Sequence, residues 1–293
     1  MLTQQSLLPS GGPTLRVSPF VKWAGGKTHL TKYIRPLVPS RIRRYYEPFL
    51  GGGALFFAIY NSGVSFEATL SDTNQELIST FKVVRDSPRE VVHQLSKMKR
   101  QYLIASNQEK FYYSLRATKF TDKVELAARF IFLNKTCYNG LYRVNRDGEF
   151  NVPFGQNKAP GIFEEDNITA ASEALRATKV RLVSTDYQRA TEDCGSGDFI
   201  YLDPPYDPIS KTSTFTSYTS TGFNVEDQAR LADWFGELVR RGCSVVLSNS
   251  DTGLIRALYE TYPRRSIPVN RPISCKGSRR TGFRELIIFN IRQ

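Results

Sequence analysis

Five short apolar runs, at residues 45–48, 68–71, 180–184, 199–202 and 244–247, each end in a turn and lead into a helix-like stretch. Short buried strands alternating with helical periodicity predict a parallel sheet with crossover helices. Asp72, Asp186, Asp203 and Asp251 stand just beyond four of the runs. Ligands of open α/β sheets bind beyond the carboxyl ends of the strands, so these acids are expected to face a site. An Asp in that place also caps a helix readily, an equal reading for Asp186 and Asp251. Near the chain's end, runs at 264–269 and 285–290 are joined by a polar, basic loop, 271–280. They read as a hairpin, which makes the sheet mixed at one edge.

One region breaks the alternation. Between residues 77 and 135 apolar side chains recur at helical spacing, as in Val91, Leu95, Met98 and Tyr102, with no strand-like run between them. Beyond it, Asp147-Gly148 separates two extended runs, 142–146 and 149–152. Asp-Gly in that setting predicts a tight turn in which both central residues take positive φ. Residues 77–162 are therefore expected to be an inserted helical domain with a basic hairpin at its tip, dividing a catalytic domain into residues 1–76 and 163–293.

The 293 residues include 40 Lys+Arg against 28 Asp+Glu, a net charge of +12. That excess suits a polyanionic partner, because neutralising phosphates releases their counterions, although a merely basic protein gives the same sum. Cys137, Cys194, Cys243 and Cys275 include no Cys-x-x-Cys spacing, and the only histidines are His29 and His93. No metal site is expected, and free thiols in a reducing cytosol are the simplest account. The first 18 residues lack the charged start and apolar centre of a signal peptide; Gly11, Gly12 and Pro13 suggest a flexible leader. No run reaches the roughly 18 apolar residues of a spanning helix, so no membrane partner is expected.

Three motifs carry chemistry. Glu47-Pro48-Phe49-Leu50-Gly51-Gly52-Gly53 is a strand entering a glycine turn and then a helix, with Asp72 following at the spacing of a ribose-binding acid. Glycines let main chain approach a ligand, and a helix start offers N–H groups. Asp203-Pro204-Pro205-Tyr206 follows the run 199–202 directly. Its prolines stiffen the chain and remove donors, so the Asp203 carboxylate and the Pro204 carbonyl can both accept from one ligand amine. An aromatic amine is a poor nucleophile, its lone pair being delocalised into the ring. Two acceptors aimed at its hydrogens favour a pyramidal nitrogen and stabilise the positive charge that a transferred methyl brings. Tyr206 is placed to stack on a base. The third motif, Phe20-Val21-Lys22-Trp23-Ala24-Gly25-Gly26-Lys27-Thr28, imitates a phosphate loop, but Val21 stands where that loop needs its first glycine. A nucleotide-hydrolysing enzyme is excluded; Trp23 and Lys27 are instead expected to pack and anchor a cofactor.

Together and in this order, these pieces resemble the Dam-type (D12 class) DNA adenine methyltransferases from Phe20 nearly to the end. Leu133-Asn134-Lys135-Thr136-Cys137-Tyr138-Asn139-Gly140-Leu141-Tyr142-Arg143 and Gly148-Glu149-Phe150-Asn151-Val152-Pro153-Phe154-Gly155 look like that family's recognition hairpin, and Arg271-Pro272-Ile273-Ser274 and Arg284-Glu285-Leu286 like its tail. The resemblance implies an α/β fold: a Rossmann-like, S-adenosylmethionine-dependent methyltransferase sheet with one antiparallel strand, and an inserted helical target-recognition domain carrying a β-hairpin. It implies that Trp23, Lys27, Glu47, Pro48, Phe49, Gly51, Gly53, Asp72, Asp186, Tyr187 and Asp203 bind S-adenosylmethionine, and that Asp203, Pro204, Pro205 and Tyr206 form the catalytic tetrapeptide. It further implies that Lys22 and Arg143 read guanines, Leu141 and Pro153 contact bases, and Tyr138 and Asn139 help extrude an adenine. The implied partner is double-stranded DNA with GATC as target, and the implied enzyme is a cytoplasmic, nucleoid-associated monomer of prokaryotic or phage origin. Tyr142 and Val144 depart from the family pattern. Methylation of cytosine N4 or of RNA adenine, and a catalytically silent DNA-binding regulator, remain as alternatives.

Overall fold

The computed structural model describes residues 16–23, 28–156, 160–208, 223–269 and 283–291. Lys27, Cys275, the leader glycines and the basic loop with Arg271-Pro272-Ile273-Ser274 lie outside the described residues. All five predicted runs are strands: β1 (Arg44–Glu47), β2 (Glu67–Asp72), β3 (Arg181–Ser184), β4 (Phe199–Leu202) and β5 (Ser244–Ser250). With β6 (Arg264–Val269) and β7 (Phe283–Phe289) they make one seven-stranded sheet of order β3-β2-β1-β4-β5-β7-β6. β1 to β5 are mutually parallel, and β7 runs antiparallel to both β5 and β6. The single reversed strand of the expected fold is therefore β7, slotted inside β6. From β1 the chain builds outward to β3, then returns to lay β4 and β5 on the other flank of β1. Connections diverge at that switch and leave a crevice at the carboxyl edge.

Side chains alternate between two cores. Tyr45, Phe199, Tyr201 and Val246 enter one; Tyr46, Ile200, Leu202, Val245 and Leu247 enter the other, as a period of two requires. The central strand β4 is buried at every position, the condition of a parallel strand covered on both faces. The first core takes α1 (Thr28–Ile34), α2 (Ala54–Tyr60), α3 (Gln75–Asp86), α4 (Pro88–Ile104), α5 (Gln108–Ala117), α6 (Lys123–Thr136) and α7 (Glu165–Ala177). The second takes α8 (Tyr187–Ala190), α9 (Val225–Arg240) and α10 (Gly253–Leu258). Asn74, Asn107, Asp122, Asp186 and Asn224 accept from N–H groups in the first turns of α3, α5, α6, α8 and α9. Each such cap contributes about 1 kcal/mol.

The helices inserted between β2 and β3 share the core of the sheet. It continues from Phe56 and Phe81 through Phe132 to Tyr102, Tyr112 and Val152. The helix α3 touches β2 and β3 on one side and α6 on the other. The buried Tyr112 hydroxyl donates to the Val152 carbonyl at 2.8 Å and ties α5 to the base of the hairpin. The hairpin forms, with bridges Val144↔Phe150 and Cys137↔Phe154, but its turn differs from the predicted one. The turn closes from the Gly148 N–H to the Asn145 carbonyl at 3.1 Å, and among residues 145–148 Gly148 alone has positive φ, 78°. The cause is Asn145, whose Oδ1 accepts from the N–H groups of Asp147 at 3.0 Å and Glu149 at 2.8 Å. This side-chain mimic of a turn keeps Asp147 at negative φ, so the pair Arg146-Asp147, not Asp147-Gly148, occupies the corner.

Candidate active site

The carboxyl ends of β1, β2 and β4 meet at one cleft of about 3000 Å³. After β1 the chain turns at Gly51 (φ 48°) and Gly53 (φ 68°), a left-handed pair that glycine adopts without penalty. Asp72, at the end of β2, accepts from the Gly51 N–H at 3.1 Å and the Asn74 N–H at 3.0 Å, locking the turn against the sheet. Burial raises its carboxyl above the ordinary value, and these N–H donors oppose that shift. Trp23 lies flat on the turn: a Cβ at Gly51 would stand 2.6 Å from Trp23 Cδ1. Its other side stacks on Tyr142 at 5.6 Å, and the Tyr142 hydroxyl donates to Glu76 at 3.0 Å. Tyr142, outside the family pattern, is thus a wall of the cleft.

Glu47 closes the floor. It is 2% exposed and accepts from the Tyr45 hydroxyl at 2.8 Å and the Phe56 N–H at 3.2 Å. Burial pushes its carboxyl up to about 8, and the neighbouring Asp203 charge acts in the same direction. A folded value above the ordinary 4.5 means that the folded state holds this proton more tightly than the unfolded state does. The resulting stability is complete below the ordinary value and is lost as pH rises through the folded one. Glu47→Gln is expected to flatten that decline in melts taken from about pH 5 to about pH 9. A variant whose melting temperature falls as steeply as wild type would show that Glu47 is not the titrating group.

Asp203 follows β4, and its Oδ1 accepts from the Ser248 hydroxyl at 2.8 Å, itself paired with the Tyr201 hydroxyl at 2.9 Å. Pro204 is buried and Pro205 exposed. Among the described residues none donates to the Pro204 carbonyl. The Tyr206 hydroxyl donates to Glu285 of β7 at 3.3 Å, and His29 Nε2 stands 3.4 Å from the same carboxylate oxygen. Across the cleft Phe49 stacks on Tyr187 at 5.5 Å. Asp186 caps α8, as the structural reading held, and also lines the cleft. Asp251 does neither: Thr252 caps α10, and the half-buried Asp251 pairs its carboxylate with Arg256 at 2.5 and 2.8 Å. A carboxylate flanked by two arginines is better neutralised there than at a helix start, where a hydroxyl serves.

The cleft gathers Trp23, Glu47, Pro48, Phe49, Gly51, Asp72, Asp186, Tyr187 and Asp203 through Tyr206, and Lys22, Asn139 and Leu141 line it as well. Gly53 packs behind the turn against Leu50 and Phe57. Tyr138, Arg143 and Pro153 do not line the cleft; they sit on the hairpin unit beyond it, where the Tyr138 N–H donates to the Pro153 carbonyl at 2.9 Å. Arg143 donates through Nε and Nη2 to the Asn151 side chain at 2.7 Å and carbonyl at 3.1 Å. The Lys22 main chain is paired in both directions with the Asn134 side chain at 2.7 Å, so the segment bearing Trp23 is latched to α6. Asn139 holds φ 55°, a left-handed value that asparagine adopts readily, and lines the opening. Burial pushes the Cys137 thiol up to about 11, which keeps it protonated and unsuited to attack on a base. Sequence reasoning missed Ser248, Asn249 and Gln228. The available signal was the polar end of β5, Ser248-Asn249-Ser250, on an otherwise apolar strand buried throughout this end.

Among the described residues no cluster of three metal-ligating side chains occurs, and no helix is long and apolar enough to cross a membrane. The sequence profile of the D12 class N6 adenine-specific DNA methyltransferases matches residues 23–271. The chain is 40% identical to the type II methyltransferase M.MjaIII of Methanocaldococcus jannaschii, over 94% of this chain and 100% of that one. It is 38% identical to the type II methyltransferase M1.LlaDCHI of Lactococcus lactis subsp. cremoris, over 94% and 96%. With the DNA adenine methylase of Vibrio cholerae it shares 35% identity over 92% and 94%. A Rossmann-like methyltransferase sheet and this run of matches lead to one assignment: the chain belongs to the D12 class of N6 adenine-specific DNA methyltransferases.

Proposed function

We propose that the protein transfers a methyl group from S-adenosylmethionine to N6 of an adenine extruded from double-stranded DNA, within GATC. The supporting observation is that the Asp203–Pro204 acceptors open into the same cleft as the Gly51 turn and the Lys22–Leu141 wall. The residues fit the cofactor: Asp72 lines the cleft beside the Gly51 turn with carboxylate oxygens to which ribose hydroxyls can donate, Phe49 and Tyr187 offer an aromatic surface, and Trp23 lies against the turn. Bound there, the cofactor supplies an electrophilic methyl. The chain's own residues do the rest. Asp203 and the Pro204 carbonyl accept from the amine of the base and expose its lone pair, while Tyr206 stacks on the ring. Adenine's amine is inaccessible inside a duplex, so extrusion is required, and Tyr138 and Asn139 are assigned to it. Residues 77–162 are the DNA-reading unit, and the enzyme acts as a monomer on DNA in a prokaryotic or phage-infected cytoplasm. Tritiated-methyl transfer onto duplexes differing only at one GATC site tests the reading. Label on both duplexes alike, or on cytosine or RNA instead, rejects it, and a chain that gives no heat with S-adenosylmethionine is a binding module.

The target rests on Lys22, Leu141, Arg143 and Pro153. Of the five N–H donors of Arg143, Asn151 engages two, leaving three for the bidentate edge of a guanine. Arg143→Ala is expected to lose about 1–3 kcal/mol of discrimination at one guanine. The check is kcat/KM on duplexes substituted at each position in turn. An equal loss on every duplex would make Arg143 a phosphate contact.

A further inference from the structure

A buried amide pair lies behind the catalytic turn. Gln228 of α9 is 1% exposed and Asn249 of β5 is fully buried. Gln228 Nε2 donates to the Pro205 carbonyl at 2.9 Å, and Asn249 Nδ2 donates to Gln228 Oε1 at 3.0 Å. Asn249 Oδ1 accepts from the N–H groups of Asp207 at 3.0 Å and Ser250 at 2.8 Å. Each orientation is forced. A main-chain N–H only donates, so the Asn249 atom facing two of them is oxygen, and its amide nitrogen must face Gln228. Gln228 then meets it with oxygen and turns its own nitrogen on a carbonyl that only accepts.

Pro205 and Asp207 flank Tyr206, so the chain entering and leaving that residue is gripped from two different elements. The prolines fix φ but not ψ. The ψ of Pro205 aims its carbonyl and sets the plane from which Tyr206 departs, and it is this torsion that Gln228 holds. We propose that Gln228 and Asn249 are positioning residues for methyl transfer: through the main chain on either side of Tyr206 they fix the stacking ring relative to the Asp203–Pro204 acceptors. The proposal rests on the reading of Asp203 to Tyr206 as the catalytic turn.

The test begins with wild-type methylation of an adenine-containing duplex under single-turnover conditions. Active sites are counted by the stoichiometry of S-adenosylmethionine binding, so unfolded molecules do not enter the rate. Gln228→Leu keeps the size and removes the donor. Its rate per active site is expected to fall on the order of 10- to 100-fold, with cofactor and DNA dissociation constants unchanged. Gln228→Glu retains the acceptor toward Asn249 but sets an oxygen against the Pro205 oxygen, and should fall at least as far. Ser172→Ala removes a different buried hydroxyl, one that donates to the Arg85 carbonyl at 2.7 Å far from the turn. It should lower the melting temperature and leave the rate per site intact. If Gln228→Leu melts earlier yet turns over at the wild-type rate per site, the amide pair is only structural and the proposal is overturned. A wild type inert on every duplex would overturn the functional reading first, and this proposal with it.

Discussion

Asp203→Ala is expected to slow methyl transfer by about 10²- to 10³-fold in a single turnover, while cofactor and duplex still bind. The reason lies in what its carboxylate does and in how it is held. Ser248 donates to one of its oxygens, and Tyr201 supports Ser248 from inside the sheet, so the acid is pointed before any substrate arrives. A preorganised acceptor costs no rearrangement as charge develops on the amine, which is why one such group is worth about 3–4 kcal/mol in a water-poor cleft. Alanine leaves the Pro204 carbonyl in place, so some rate above background should remain. Rapid-quench assays with labelled cofactor, beside gel-shift measurements on the same duplex, separate the two effects. Wild-type-like turnover in the variant would remove Asp203 from the chemistry.

Gly51→Ala should be nearly as damaging, through the cofactor turn. The residue holds φ 48°, where a side chain costs about 1–2 kcal/mol. The new methyl would also meet Trp23 Cδ1 at 2.6 Å, and Trp23 cannot swing aside, being backed by Tyr142 and Phe130. Overpacking of this kind adds about 1–3 kcal/mol. Gly63→Ala isolates the first contribution, since Gly63 holds φ 77° with nothing within 4 Å of the added carbon. Both variants should lose melting temperature; Gly51→Ala alone should also lose affinity for S-adenosylmethionine by calorimetry. Equal cofactor affinity in the two would mean that the indole does not border the cofactor.

The sheet was legible because its central strands are buried on both faces, so runs such as Phe199 to Leu202 carry no polar interruption. The reversed edge was legible from two adjacent runs without a helical stretch between them. The candidate site was legible where the proposed chemistry is compressed into consecutive residues, as in Asp203 to Tyr206, which all line the cleft. Groups that act across the fold were not. Ser248 meets Asp203 from 45 positions away and Asn249 meets Gln228 from 21, and a polar strand end looks the same in sequence whether it faces water or grips a turn. Tyr142 was passed over because its value is geometric: only the folded chain brings it against Trp23. The Asp147-Gly148 turn was misassigned because Asn145, two residues earlier, competes for the same N–H groups.

The unbroken packing from Phe56 to Val152 makes the sheet and the inserted helices a single solid body. Exchanging the whole segment between two such enzymes would cut through interlocked aromatic rings and yield misfolded chimeras. New target preferences are therefore cheaper to evolve at the projecting tip, at the exposed Arg143 and residues 146–149, than at Phe150, which is buried in the core beneath them. Diversity in what such enzymes recognise should concentrate in that small outcrop.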